Sequence, residues 1–499
     1  MKKIFGFLLL FVAALFIQSC SDSEETVTTT GLSVTDKDGN SLTELSFNAA
    51  EAYTMIGVKT DGDWTAQVPE ADTTWLKITP HAGYGWQYTD TTATNTRAYI
   101  RVSVEKNSGE NRQSTITLTS GGYTQVVTVT QKGVGTDPDD PFESVWTMVG
   151  KFKMGYNLGN TLESNPSGSW WDDKIKDLTG SALVEAYETA WGQPVTTQEM
   201  IDDIHAQGFN VVRVPVTWAS HMDENDVIDA TWMSRVEEVV NYALKDSGYV
   251  ILNVMHDVGS GAWLTTDPDA YATSTVKYQT IWRQIAEHFK DYGDHLIFES
   301  FNEILNKNYS WTAPAAGSAD YETVNKLQQD FVNVVRSTGG NNAYRNLAVT
   351  TYSATGNSAA AINSLEKPTD VHPNHLYLTV HSYDPYNFCN DNSGVDADGN
   401  AYDWNIKVFD DDCKSQIDDI VFMVKNRANA LDMPFVFGEF GAIDENKSMD
   451  ERVKYATYVA TALKNEHTTG FWWMGLYDRN TKEWYEQRIV DALKDVFLK

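Results

Sequence analysis

Eight apolar, β-branched runs separated by amphipathic stretches constrain the C-terminal part of this chain more than any other feature. They are Lys153–Asn160, Asn210–Trp218, Tyr249–Asp257, Leu296–Ile304, Asn346–Tyr352, Leu376–Pro385, Pro434–Ala442 and Gly470–Leu476. Between most of them lies helical text such as Met200–Gln207 and Ser234–Lys245. Strand runs alternating with helical periods make βα units and a parallel sheet. Eight units over residues 142–499 suit a closed (β/α)8 TIM barrel with loop insertions. A doubly wound open sheet is the alternative, but no Gly-rich phosphate turn follows the first run.

Residues 31–133 read differently. Segments such as Ala98–Val104, Ser114–Thr119 and Val126–Thr130 alternate apolar and polar residues, with turn residues between them. Period-two alternation at this spacing predicts a small all-β, immunoglobulin-like sandwich. Trp64, Trp75, the Asn107 to Asn111-Arg112 turn and Thr130-Gln131 resemble the BACON module. A spacer is the preferred reading of that module over carbohydrate binding, with Trp64 and Trp75 as core. Residues 134–141, containing Asp137-Pro138-Asp139-Asp140-Pro141, form a linker.

The N-terminus reads as an export signal over residues 1–19. Lys2 and Lys3 precede an apolar run, Ile4–Ile17, that is short for a membrane span. Ile17-Gln18-Ser19-Cys20 resembles a bacterial lipoprotein box, which implies lipidation of Cys20. The acidic stretch after it, Ser21 to Glu25, resembles a surface-export tag of Bacteroidetes lipoproteins. With a tether over residues 20–30, the expectation is a surface-exposed outer-membrane lipoprotein of the cell envelope, with outer-membrane lipid as a partner. Cys389 and Cys413 are the other cysteines, both in one long loop region, and they form either a disulfide or two unpaired thiols.

A formal net charge of -31 argues against nucleic acid and anionic surfaces, because phosphate binding needs clustered Lys and Arg. It suits a neutral ligand. Active sites of such barrels sit at the C-terminal strand ends, and a strand facing the interior seldom carries charge without reason. The polar residues there are Arg213, His256, Asn302, Glu303, His381, Tyr383 and Glu439, followed by Trp472. Two glutamates on separate strands, Glu303 and Glu439, are what glycosidic cleavage requires. One protonates the leaving oxygen and the other attacks C1, about 5–5.5 Å apart in retaining enzymes. Arg213 is the cation to keep one of them ionised, or else bridges another barrel carboxylate.

From Gly155 onward the chain resembles glycoside hydrolase family 5, in its bacterial endoglucanase and xyloglucanase branch. The marks are Gly155–Glu163, Trp191-Gly192-Gln193-Pro194, Val212–Trp218, Phe298–Ile304, His381–Tyr386 and Phe437–Gly441. The resemblance implies Glu303 as acid/base and Glu439 as nucleophile. It also implies Asn302 on the sugar 2-hydroxyl, Tyr383 and Arg213 on Glu439, and His256 and His381 lining the same subsite. Trp472 is the expected sugar platform, or Trp473 if the register is one residue off. The implied reaction is retaining endo-hydrolysis of a β-1,4-glucan, with no cofactor and no metal, by a monomer. The rivals are the same mechanism on mannan or xylan, and a non-catalytic glycan-binding protein.

Two departures stand out. Met255-His256-Asp257 has one histidine where relatives often carry two, and Trp472-Trp473-Met474-Gly475 replaces Trp-Asp-Asn-Gly. Asp396–Asn400 lacks the spaced ligands of a calcium loop and reads as a turn. Trp170, Trp171, Trp263, Trp311 and Trp404 lie in loops and are candidates for further sugar contacts.

Overall fold

The computed structural model describes residues 31–36, 39–47, 51–83, 98–107, 111–133, 141–372, 374–395, 400–473 and 475–499. The export signal, the tether with Cys20, most of the linker, Asp396–Gly399 and Met474 lie outside them. Two compact units emerge. One is drawn from the first 129 residues, and the other holds Thr130–Lys499 with two short earlier segments.

The N-terminal region is all-β, with one four-stranded and one five-stranded sheet. Along Arg112–Ser120 buried and less buried residues alternate, as expected of a strand with one face inward. Ile56, Val58, Ile100, Val102, Ile116, Leu118, Val127 and Val129 fill the core. Trp64 and Trp75 are buried with them, so neither is an open sugar platform.

In the second unit eight parallel strands close into a barrel. They are β1 (Met154–Asn157), β2 (Phe209–Val214), β3 (Tyr249–Asn253) and β4 (Leu296–Glu299), then β5 (Leu347–Thr355), β6 (Leu376–Ser382), β7 (Phe435–Phe440) and β8 (Gly470–Trp473). Strand β8 pairs back onto β1, with Gly155 opposite Phe471 and Asn157 opposite Trp473. Most strands stop short of their apolar runs. Beyond Val214, Asn253 and Glu299 the chain leaves the ladder, and the last residues of each run become loop.

The barrel has an outer and an inner core. The outer core packs strand residues such as Val212, Val214, Val250, Leu252, Leu296 and Phe298 against the surrounding helices. The inner core holds Val211, Tyr249, Ile251, Ile297, Ala348, Tyr377, Val436 and Phe471 with Val145, Trp146, Met148 and Val149. The last four belong to the helix Val145–Lys151, N-capped by Ser144. Val145 N–H bonds to Asn374 O, and Asn346 Nδ2 bonds to Glu143 O. Both partners sit at strand starts, so this helix closes the N-terminal end of the barrel and leaves the C-terminal end open.

Candidate active site

Side chains two residues along a strand share a face. One step beyond the inner-core residues, the same inward face therefore becomes polar. Val211 leads to Arg213, Ile251 to Asn253 and Ile297 to Glu299; on β1 Gly155, opposite Phe471, leads to Asn157, and on β8 Phe471 leads to the aromatic Trp473. Asn157, Arg213, Asn253 and Glu299 are all fully buried. Burial at that depth requires them to satisfy one another.

Arg213 is the hub. Its Nε lies 3.0 Å from Glu299 Oε1 and its Nη2 lies 2.6 Å from the same oxygen. Nη2 also donates to Asn302 Oδ1 at 2.9 Å. Nη1 donates to Asn157 Oδ1 at 3.0 Å and to Glu439 Oε1 at 2.8 Å. Burial opposes the guanidinium charge, but Glu299 and Glu439 together outweigh it and hold the group above its ordinary value. Arg213 thus contacts Glu439 and bridges a second barrel carboxylate at the same time. Asn253 Nδ2 adds a bond to Glu299 Oε1 at 3.0 Å.

Glu439 lies on β7, next to β6. The ladder between these strands carries an irregularity at Val380/His381 that sets His381 opposite Glu439. Such bulges re-aim side chains beside active sites. Gly438 makes the approach feasible, because a Cβ there would sit 2.4 Å from Thr379 Oγ1 and 3.3 Å from the His381 ring. Tyr383 donates its hydroxyl to Glu439 Oε2 at 2.8 Å. Burial pushes the Glu439 carboxyl up, while His381, Arg213 and the Tyr383 bond pull it back and Glu303 adds to the rise.

Glu303 stands in the loop beyond β4, half-buried. His381 Nδ1 is 2.8 Å from Glu303 Oε1 and 3.6 Å from Glu439 Oε2. Burial works against charge on this imidazole, but the two carboxylates prevail and raise its pKa. Glu303, His381 and Glu439 each offer a ligand atom, all within 4.8 Å of one another. A cation would fit that spacing, yet it would have to displace the His381–Glu303 bond beside the permanent charge of Arg213. The donor set is already engaged in hydrogen bonds suited to proton handling.

Asn302 Oδ1 accepts from Arg213 Nη2, which leaves Nδ2 as a donor with no acceptor among the described residues. His256 packs edge-on against Trp191 with ring centroids 5.3 Å apart. Burial lowers its pKa, Glu303 pulls it up and Arg213 down, so it lies within electrostatic reach of both. Its neighbour Asp257 is structural. It accepts from Trp218 N, Ala219 N and Trp263 Nε1 at 2.8–2.9 Å.

One expected residue is misplaced. Trp472 is only 2% exposed and packs edge-on against Phe440 and Tyr455 in the outer core. The cause is strand alternation: Phe471 and Trp473 point inward, so Trp472 points toward the helices. Trp473 is the half-buried aromatic on the cleft side. The two cysteines are buried free thiols, Cys389 ending a short helix and Cys413 in the first turn of another, not members of one loop. Of the tryptophans expected in loops, Trp170 and Trp171 lie in a short helix, Ser169–Ile175, with Trp171 buried against Tyr187, whereas Trp170, Trp311 and Trp404 are exposed.

Sequence reasoning gave no role to Asn157, Asn253 and Glu299. Glu299 carried a signal, a charged residue ending an apolar strand run two places after Ile297. The asparagines carried none, because a neutral side chain in a strand does not reveal which partner it meets.

A family model described as cellulase (glycosyl hydrolase family 5) matches residues 173–478, and one described as a putative N-terminal binding domain, BACON, matches residues 63–132. Endoglucanase A of Clostridium longisporum is 36% identical over 69% of this chain, which spans 64% of that protein. Endoglucanase A of Ruminococcus albus is 35% identical, covering 70% of this chain and 92% of that one. The crystal structure of a glycoside hydrolase family 5 enzyme from Prevotella bryantii B14, bound to a xyloglucan tetradecasaccharide, superposes with a TM-score of 0.63 at 36% identity. It covers 71% of this chain and 99% of that one.

Proposed function

Since this chain belongs to glycosyl hydrolase family 5, the cellulase family, we propose that it cuts internal β-1,4-glucosidic bonds of plant glucans with retention at C1. The observation that carries the stereochemistry is that one carboxylate oxygen of Glu303 and one of Glu439 lie within 4.8 Å of each other, with His381 Nδ1 bonded to Glu303 at 2.8 Å and only 3.6 Å from Glu439. So close an approach suits the roughly 5–5.5 Å between carboxyl groups of a retaining pair rather than the roughly 6.5–9.5 Å that an inverting pair needs to admit a water.

In the first step a Glu439 oxygen attacks C1 as Glu303 protonates the departing glycosidic oxygen. In the second, Glu303 takes a proton from water, and that water releases the sugar from its ester with Glu439. Arg213 and Tyr383 bind one oxygen each of Glu439, favouring its anion over the pull of burial. His381, bonded to Glu303, holds that carboxyl in place through both proton transfers. Asn302 Nδ2, aimed by Arg213, is the donor for the 2-hydroxyl, a contact that tightens as charge develops on the ring. Trp473 offers the aromatic face on which that ring rests.

The glucan backbone rests on the endoglucanase relatives and on the xyloglucan bound to the Prevotella bryantii enzyme. A xyloglucan-specific endo-β-1,4-glucanase of Bacteroides ovatus, 27% identical, aligns over 98% of this chain. For localisation, Lys2-Lys3, the run Ile4–Ile17 and Cys20 support a lipid anchor on the outer membrane. Among the described residues no helix is long and apolar enough to cross a membrane.

The test is release of reducing ends from xyloglucan, mixed-linkage β-glucan, carboxymethyl cellulose, glucomannan and xylan, with the anomer of the first product read by NMR. β-Anomers from one or more glucans are expected. α-Anomers would overturn retention, activity confined to mannan or xylan would overturn the backbone, and binding without cleavage would leave a glycan-binding protein.

A further inference from the structure

Behind Tyr383 the barrel mouth holds a cavity of about 540 Å³. Neither Glu303 nor Glu439 lines it. Tyr383 and Trp473 stand at its boundary with the catalytic groups, an edge of the largely buried Trp472 reaches it, Tyr485 and Ile443 form walls, and Asn390 and Asp444 supply polar edges. The volume falls within the roughly 300–1,000 Å³ of pockets that hold small ligands, and far exceeds what a hydroxymethyl group fills.

The stereochemistry of a pyranose ring says what part of the substrate meets this cavity. C1 is flanked by C2 on one side and by O5 and C5 on the other. Asn302 and Tyr383 approach Glu439 through different oxygens: Arg213 ties Asn302 to the Oε1 side, and Tyr383 bonds Oε2. With the 2-hydroxyl at Asn302, the O5 and C5 edge turns toward Tyr383. The C6 arm then leaves the ring in the direction of the cavity.

We infer that this cavity receives a neutral sugar substituent carried on O6 of the glucosyl residue whose bond is cut. The enzyme therefore cleaves after 6-branched glucosyl units as well as unbranched ones. The inference rests on the double-displacement reading of Glu303 and Glu439. Tyr485, 57% exposed, and Trp473 provide aromatic surface for a sugar face. Asn390 and the exposed Asp444 provide partners for its hydroxyls. Of the charged residues lining the cavity, Arg452 is paired with Glu486 at 2.6 Å, and the exposed Asp444 and Glu445 leave a net negative edge that disfavours an acidic branch and suits a neutral sugar.

The test is a limit digest of xyloglucan, a glucan bearing xylosyl groups on O6, with the reducing-end residue of each product identified by mass spectrometry and NMR. Wild-type protein is expected to yield both branched and unbranched reducing ends. Ile443→Trp, which fills the cavity from an exposed position, should cut the share of branched ends by about tenfold or more, with the rate on unbranched mixed-linkage glucan kept. Tyr485→Ala should lower the same share without filling the cavity. Exclusively unbranched ends from the wild type, or an unchanged ratio in both variants, would overturn the inference. Inactivity of the wild type on xyloglucan and on unbranched glucan alike would sink the double-displacement reading and this inference together.

Discussion

Arg213 commits two of its three nitrogens, Nε and Nη2, to Glu299 and only Nη1 to Glu439. Glu299 lies one layer deeper, out of reach of substrate, and both residues are fully buried. It neutralises much of the guanidinium charge and locks its plane. Glu439 thereby receives one directed hydrogen bond rather than a competing bidentate clamp.

Glu299→Gln should therefore lose stability and activity together. Removing one partner of a buried ion pair typically costs about 3–5 kcal/mol. Thermal unfolding should show a large fall in Tm. The acidic limb of the pH profile should move to lower pH, because a less neutralised Arg213 favours the Glu439 anion more strongly. An unchanged acidic limb would show that Glu299 acts on stability alone.

The roles proposed for Glu303 and Glu439 separate by chemical rescue. Glu303→Ala should lower turnover of polysaccharide by about 10²–10⁴-fold, with a much smaller loss in the first step on aryl glycosides whose leaving group needs no proton. Added azide should then yield the β-glycosyl azide. Glu439→Ala should abolish turnover, and azide should yield the α-azide by direct displacement. Identical azide anomers from both variants would contradict the assigned roles.

Glu163 should make stability fall as pH rises. It is fully buried in the loop after β1, accepting from the backbone of Asn160 and Thr161, and desolvation pushes its pKa up to about 7 against those bonds. A carboxyl raised on folding favours the folded state below its unfolded value near 4.5, and this contribution is lost as pH climbs through about 7. A tenfold change in proton affinity on folding corresponds to about 1.4 kcal/mol. Tm measured from pH 4.5 to 8 should decline in the wild type and decline less in Glu163→Gln. Parallel curves would assign the slope to another group.

The paired tryptophans should part company on substitution. Trp472→Ala removes an outer-core side chain and should cost about 3–5 kcal/mol of stability. Trp473→Ala should leave Tm nearly unchanged and lower kcat/KM on glucans by about tenfold or more. Melting curves beside steady-state kinetics decide it, and the reverse pattern would restore Trp472 as the platform.

The sequence by itself determined the eight-strand order, the all-β region before it and the chain positions of Glu303 and Glu439. Each is written in a local pattern of two or three and a half residues, or in a short motif. What only the tertiary structure decided is how those positions meet. Arg213 reaches Glu299 across 86 residues and Glu439 across 226, and no local pattern records such a contact. The inward face at β8 fell to Trp473 because register with β1 sets Asn157 opposite it, and one residue of slip exchanges the faces. His381 came to lie between the two carboxylates through an irregular ladder beside Gly438, where the missing side chain lets two strands approach. Local patterns set which residues form strands, and closure of the barrel sets which side chains share its interior.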